Sequence, residues 1–457
     1  MPTETNTSGK QNIVIQRISD STITLNVDGE VREIHNQLAE LKALLQNKQA
    51  QTVQYADKIY NIEHIDEANF GFVTGKKAFN EYLTKALIEA IQADCLPAQR
   101  FLEKVSAIED WETQMRISDK AKEIIAYSFV GVIGIQLSKL MAIGKEDFSE
   151  AKQRKYIEKC LHIAKRSLDL INFSLLSRLW DAQNEQPRQF SKDQKTALAH
   201  HFDHPFEPSL DEQFRLLAVL HRIFSQKENA LVFPLPELEN FGVALEADSI
   251  LSQVCRALKA LNEKLDKAQY DLLDCFEAEK QLAELLAQFH FLVHYNMASM
   301  KHIGYRQIRE EAPHYLHRYT ALGIDSKANL DAEKINYTPE PGHTDAVLLF
   351  RGEDYRDSIN LSPFVIDYNA LTFEQGAKIC FFRSSDIADG SLDYVFLIDN
   401  SSINIQMTGT LKPDTDYNEL MMSNEKWKNL NIDNVVRDFR LARRTLLGDD
   451  ALNLDDL

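Results

Sequence analysis

Histidines crowd one stretch of this chain. His290, His294, His302, His314 and His317 are five of its 13. On a helix, His290 and His294 stand four apart and share a face, which is ligand spacing for a divalent metal. Glu311 and His314 repeat the Glu-x-x-His spacing of carboxylate-bridged helical bundles. Pro313 interrupts any helix beneath that second group, and no HExxH occurs. Partly buried, hydrogen-bonded histidines are therefore the first expectation. A metal centre built from His290, His294, Glu311 and His314 is the second.

Arg215 and His221 fall on one helical pattern, as do Arg309 and His314 further on. An Arg and a His with four to six residues between them resemble the pair of all-helical ribonucleases of the HEPN class. There the His does acid–base work and the Arg holds phosphate. Leu216 stands where that class usually has a polar residue, so both Arg215 and His221 are expected to be ordinary helix residues, with the ribonuclease as the alternative. Nucleophile signatures are missing: there is no GxSxG elbow, and Cys160 and His162, two apart on a helix, do not face each other. The run Gly71-Phe-Val-Thr-Gly75-Lys76-Lys77 is one residue short of a phosphate-binding loop and has Lys77 where Ser or Thr should hold magnesium. No cofactor is expected, and the reading leans away from an enzyme.

A net charge of −18 argues against general nucleic-acid binding, which needs a cationic footprint. Cys95, Cys160, Cys255, Cys275 and Cys380 are scattered without a CxxC pair, and several sit in apolar helical patterns. Buried thiols in a reducing compartment follow. The opening MPTETNTSGKQ lacks the apolar core of a signal peptide, so a cytoplasmic location is expected.

What must position any site is an α+β, mainly α, architecture. The apolar pattern from Ser118 to Gly144 predicts one helix with Lys139 as the only charge from Ile124 to Ile143. A helix apolar all round belongs in a core or a bilayer. The core is expected, with Gly131 and Gly134 allowing close contact, and a membrane-acting effector inserting 124–143 is the alternative. Its partner runs from Glu150 to Trp180 through Ile157, Leu161, Leu168, Ile171, Leu175 and Leu179. On that partner Lys152, Arg154, Lys155, Lys159, Lys165 and Arg166 are expected to form a solvated basic flank. Shorter helices are predicted near 76–93, 96–108, 191–202 and 209–226, then long ones over 247–280 and 281–311.

At the start, residues 1–11 read as a disordered leader and 12–75 as an association module. In it, NIVIQRI and TITLNV form a hairpin, and a second short β pair follows at 58–62 and 69–73. Between them, Val31, Ile34, Leu38, Leu41 and Leu45 make a heptad seam about two heptads long. Its apolar surface predicts docking to a protein partner or to a second copy. A helical domain is expected over 76–330, with an antiparallel helical array at 110–320. A linker over 331–342, a β-rich domain with a terminal helix over 343–448 and an acidic tail over 449–457 follow. Stable membrane insertion is not expected.

The hairpin TITLNVDGEV, the helix EIHNQLAELKALL and the stretch YADKIYNIEHIDEANFGF resemble N-terminal regions of bacterial antiphage conflict-system proteins of the STAND and caspase-associated type. The tract INLSPFVIDYNALTFEQGAKICFF is similar to C-terminal β segments of the same class. The NTPase and effector motifs of that class are absent from this sequence. The resemblance implies an accessory, adaptor or sensing subunit and carries over no catalytic residue.

Overall fold

In a computed structural model, the structure describes residues 11–18, 21–27, 79–105, 111–145, 149–246, 248–323, 333–386, 390–406, 408 and 424–448. The chain divides into two compact units, Met1–Ile59 and Tyr60–Leu457. In the first, β1 (Gln11–Ile18) and β2 (Ser21–Val27) pair antiparallel, with Ile13 opposite Leu25 and Ile15 opposite Ile23. That is the hairpin expected from the alternation. The leader, the seam Val31, Ile34, Leu38, Leu41 and Leu45, the second β pair and the acidic tail lie outside the described residues.

The second unit begins with helices α1 (Glu81–Ile91), α2 (Leu96–Val105), α3 (Trp111–Ser128) and α4 (Gly131–Ile143). The single helix expected over 118–144 is thus two. It starts earlier, at Trp111, and breaks at Phe129–Val130, where Val130 turns extended. The glycines are the physical reason that the break can pack. A Cβ on Gly134 would stand 2.1 Å from the Ala126 carbonyl oxygen of α3, and one on Gly131 would stand 1.6 Å from that of Leu322. The all-round apolar character of α4 is burial: Val132, Ile133, Leu137 and Leu140 are enclosed. Among the described residues no helix is long and apolar enough to cross a membrane.

Helix α5 (Glu150–Glu185), 36 residues long, is the axis of the core. Around it stand α6 (Lys192–Phe202), α7 (Leu210–Ser225), α8 (Ile250–Asp266) and α9 (Leu272–Gln288). Ser191 with Gln194, and Ser209 with Glu212, form reciprocal capping boxes that start α6 and α7. The 247–280 pattern therefore splits at 267–271, and the helix expected over 281–311 ends at Gln288. A 3₁₀ turn, His290–His294, follows, and then the strand β3 (Tyr295–Arg306). Helix-compatible Ala and Met residues there are overridden by pairing on both sides, since β3 lies between β4 (His314–Ala321) and β6 (Val347–Arg351).

The antiparallel five-stranded sheet runs β5-β4-β3-β6-β7, with β5 at Glu333–Thr338 and β7 at Ser358–Asn360. The expected boundary is corrected accordingly. β3 and β4 belong to the sheet and not to a helical array reaching 320, and β5 occupies the segment read as a linker. A second antiparallel sheet runs β11-β10-β9-β8, from β8 (Val365–Asp367), β9 (Ile379–Asp386), β10 (Ser391–Phe396) and β11 (Ser402–Gln406). The one-turn α10 (Tyr368–Leu371) follows β8, and the terminal helix α11 (Asn424–Leu447) closes this end. Phe173 of α5 stacks 5.5 Å from Phe364, and Phe439 of α11 lies 4.7 Å from Phe382, so one apolar core joins helices to sheet. The fold is α+β, mainly α.

Candidate functional site

The basic flank expected on α5 is in part interior. Arg166 is buried, and its guanidinium donates to Asp169 and to Glu207, 2.6 Å each, while lying over the Phe381 ring. Lys165 reaches Glu207 at 2.9 Å, and Lys159 donates to Gln136 Oε1 at 2.8 Å. Asp169, buried, and Glu207, half-buried, thus compensate this charge, as burial of an ion requires. A second buried carboxylate, Glu279, accepts the Asn80 and Leu83 amides, 3.0 Å each, and the Tyr156 hydroxyl at 2.9 Å. It caps the N-terminus of α1, and burial pushes its pKa up against those hydrogen bonds. Both clusters are structural. All five cysteines are buried and free of disulfides.

Arg215 and His221 do line one open groove, of about 900 Å³, with Arg222, Glu239 and Arg256. Each is engaged. Arg215 pairs with Asp211 at 2.7 Å. His221 donates from Nε2 to the Leu238 carbonyl at 2.9 Å, which leaves Nδ1 as acceptor for the Ser225 hydroxyl at 3.3 Å. Burial lowers the imidazole pKa, and the Leu238 carbonyl opposes this. In this arrangement the ring fastens the 3₁₀ segment Pro236–Asn240 to α7.

His290 and His294 converge, but on Asp94 and not on Glu311 and His314. His290 Nδ1 lies 2.6 Å from one oxygen of Asp94, and His294 Nε2 3.3 Å from the other. Glu311 falls in the loop after β3, and His314 opens β4, so the four-residue metal centre is not assembled. The helical spacing that suggested it does not exist beyond Gln288. His317 is instead buried between the Glu340 carbonyl and the Tyr355 hydroxyl.

Two groupings emerge that the sequence reading passed over. His200 and His204, at the end of α6, meet Glu212 in the first turn of α7. The clue was present in the four-residue spacing of HHFDH. The other lies on the five-stranded sheet beyond a bulge at Met300–His302. There His302 faces Arg318, and Arg306 faces His314, across the β3–β4 ladder. Neither arginine thereby gains an acidic partner across the ladder. With Arg309, these are five exposed basic groups, and among the described residues none has a carboxylate within ion-pair distance. On the neighbouring edge strand β5, Ile335 is paired with Arg318 and Tyr337 with Leu316. Ile335 is 57% exposed and Tyr337 61%. The face is thus basic and apolar at once.

Compared with protein families, with curated proteins and with solved structures, the chain has no match.

Proposed function

We propose that this chain is a non-enzymatic interaction protein, an adaptor or sensor, whose five-stranded sheet receives an acidic segment of a partner protein. The observation that carries this is the cross-strand pairing of His302 with Arg318 and of Arg306 with His314, basic residue opposite basic residue, set beside exposed Ile335 and Tyr337. A local rule broken without internal compensation is expected where a partner supplies the missing charge. Carboxylates on the partner would satisfy the basic groups, and apolar residues between them would cover Ile335 and Tyr337. An edge strand also offers backbone groups to an added strand. A protein segment fits better than nucleic acid, because a net charge of −18 repels a long polyanion and the apolar side chains ask for apolar cover. The resemblance of residues 1–75 and of the C-terminal β segment supports a place in a bacterial antiphage system, with self-association or docking through residues 12–75 in the cytoplasm.

The test is fluorescence anisotropy with a labelled peptide alternating Glu with Leu, and with a single-stranded oligonucleotide of equal length. The peptide should bind wild type in a salt-dependent manner, and the double substitution Arg306→Glu, Arg318→Glu should abolish binding with circular dichroism unchanged. Binding of the oligonucleotide alone, or equal peptide binding by the variant, overturns the reading. Self-association is tested separately by light scattering: replacing Leu38 and Leu41 by Lys should reduce an oligomer to the 52.4 kDa monomer.

The shared groove keeps a second reading open to experiment, because Arg215 and His221 line it beside Arg222 and Arg256. An all-helical ribonuclease would cleave RNA as wild type and lose cleavage in both Arg215→Ala and His221→Ala. The interaction reading expects no cleavage from any of the three.

A further inference from the structure

Arg215 and His221 in the groove, and His290 and His294 on Asp94, take their partners within the chain. The trio at the junction of α6 and α7 has a different geometry. His204 Nδ1 points at the Phe206 carbonyl, an acceptor only, so Nδ1 carries the proton and Nε2 of the neutral ring presents a lone pair. That lone pair faces Glu212 Oε1 at 3.8 Å. The same carboxylate oxygen has His200 Nε2 at 3.2 Å. Two imidazole nitrogens therefore converge on one carboxylate oxygen, and a lone pair facing it calls for a positive charge between them, a proton on Nε2 or a metal ion. Among the described residues this is the one set of three or more His, Cys, Asp or Glu whose ligand atoms all lie within 4.8 Å of one another.

We infer that His200, His204 and Glu212 form a binding site for a divalent transition metal, with Zn²⁺ the best fit. Bonds of about 2.0–2.1 Å in a tetrahedron set ligand atoms about 3.3 Å apart. The two nitrogen–oxygen distances, 3.2 and 3.8 Å, need only a small closure to reach that spacing. Two imidazoles and a carboxylate are a borderline-soft set that suits Zn²⁺ over Mg²⁺ or Ca²⁺. The Phe206 carbonyl plays the part of the outer partner that fixes a ligating histidine's tautomer and ring orientation.

The scaffold holds the ligands in place from three sides. Asp203, between the two histidines, forms a bidentate pair with Arg443 of α11, at 2.6 and 2.9 Å. The Ser385 amide of β9 donates to the His204 carbonyl at 3.2 Å. Glu212 gives its other oxygen, Oε2, to the Ser209 amide at 2.6 Å, so the capping box aims Oε1 at the histidines. His200 is exposed, which leaves a fourth coordination position open to water. The metal would staple the end of α6 to the start of α7.

Full-length protein freed of metal with a chelator is titrated with Co²⁺, followed by its visible absorption, and with Zn²⁺ against a chromophoric competitor. One Zn²⁺ per chain is expected, and Co²⁺ should give a band typical of nitrogen and oxygen ligands. The double variant His200→Ala, His204→Ala should lose affinity by more than the about 10–100-fold that loss of an outer partner costs. Its circular dichroism should match wild type, because His200 stands outside the core. Glu212→Gln retains a side chain able to complete the capping box and should also weaken binding. The pair His290→Ala, His294→Ala should bind as wild type does. No metal uptake by wild type, undiminished uptake by the His200, His204 variant, or loss confined to the His290, His294 variant each overturns the site.

Discussion

Arg166 and Arg318 occupy opposite environments. Arg166 is enclosed on α5, with a carboxylate 2.6 Å away on each arm of its guanidinium. Arg318 is exposed on β4, faces His302 across the ladder, and meets no carboxylate among the described residues. Burial makes an unpaired charge prohibitive, so the interior arginine is held by two carboxylates. Exposure keeps Arg318 hydrated, so the sheet can carry it without a carboxylate partner at small cost. The first region holds its charge by pairing, the second by hydration.

The sharpest way to break that contrast is Arg166→Ala, which takes the guanidinium from buried Asp169 and leaves Glu207 to Lys165 and Arg383. A loss of about 3–5 kcal/mol is expected in urea denaturation. A loss below about 1 kcal/mol would mean that the interior pairs are as dispensable as surface ones. Next in size is Glu279→Ala, which removes the acceptor of the Asn80 and Leu83 amides and of the Tyr156 hydroxyl. About 2–4 kcal/mol should go, read from the same denaturation curves.

Asp345 is an intermediate case. Burial raises its carboxyl from 3.8 to about 6, with Lys301 opposing and the Asp367 charge adding to the rise. Between those values the folded chain keeps a proton that the unfolded chain releases. Stability from this group is therefore full below pH 3.8 and falls as pH rises to about 6. Asp345→Asn should flatten that fall, worth roughly 1–3 kcal/mol by melting at pH 4 against pH 7. Asn suits the positive φ of 54° at this position. An identical pH profile in the variant would count against a raised carboxyl. Smallest of all is Arg318→Ala: within about 0.5 kcal/mol of wild type, because an exposed side chain that holds no carboxylate is removed. Calorimetry showing a loss above about 1 kcal/mol would make Arg318 a structural residue and remove the contrast.

Much of the fold was legible along the chain. The 36-residue helix α5 follows from apolar steps of three and four, and Ser209 with Glu212 marks the start of α7 within a residue. The hairpin follows from alternation, and the antiparallel strands after 343 from short apolar runs between turn residues. These are properties of a few neighbouring residues, because helix and strand periods and caps are local. Less legible was the segment 295–306, whose Met and Ala residues suit a helix but whose hydrogen bonds go to strands on both sides.

The sites depended on distance in a way that no local period records. Lys165 and Arg166 read as a solvated flank because nothing near them in sequence reveals Glu207, 41 residues past Arg166. His290 and His294 were matched with Glu311 and His314, while their partner Asp94 lies 196 residues before His290. His200 and His204 carried a visible spacing, yet the third member, Glu212, joins them only because the chain turns between α6 and α7. By itself the sequence determined most helical and extended segments and their apolar faces, with 295–306 and 333–338 as the exceptions. Tertiary structure decided which charges are compensated, since electrostatic energy depends on separation in space and on the surrounding dielectric, and not on order along the chain.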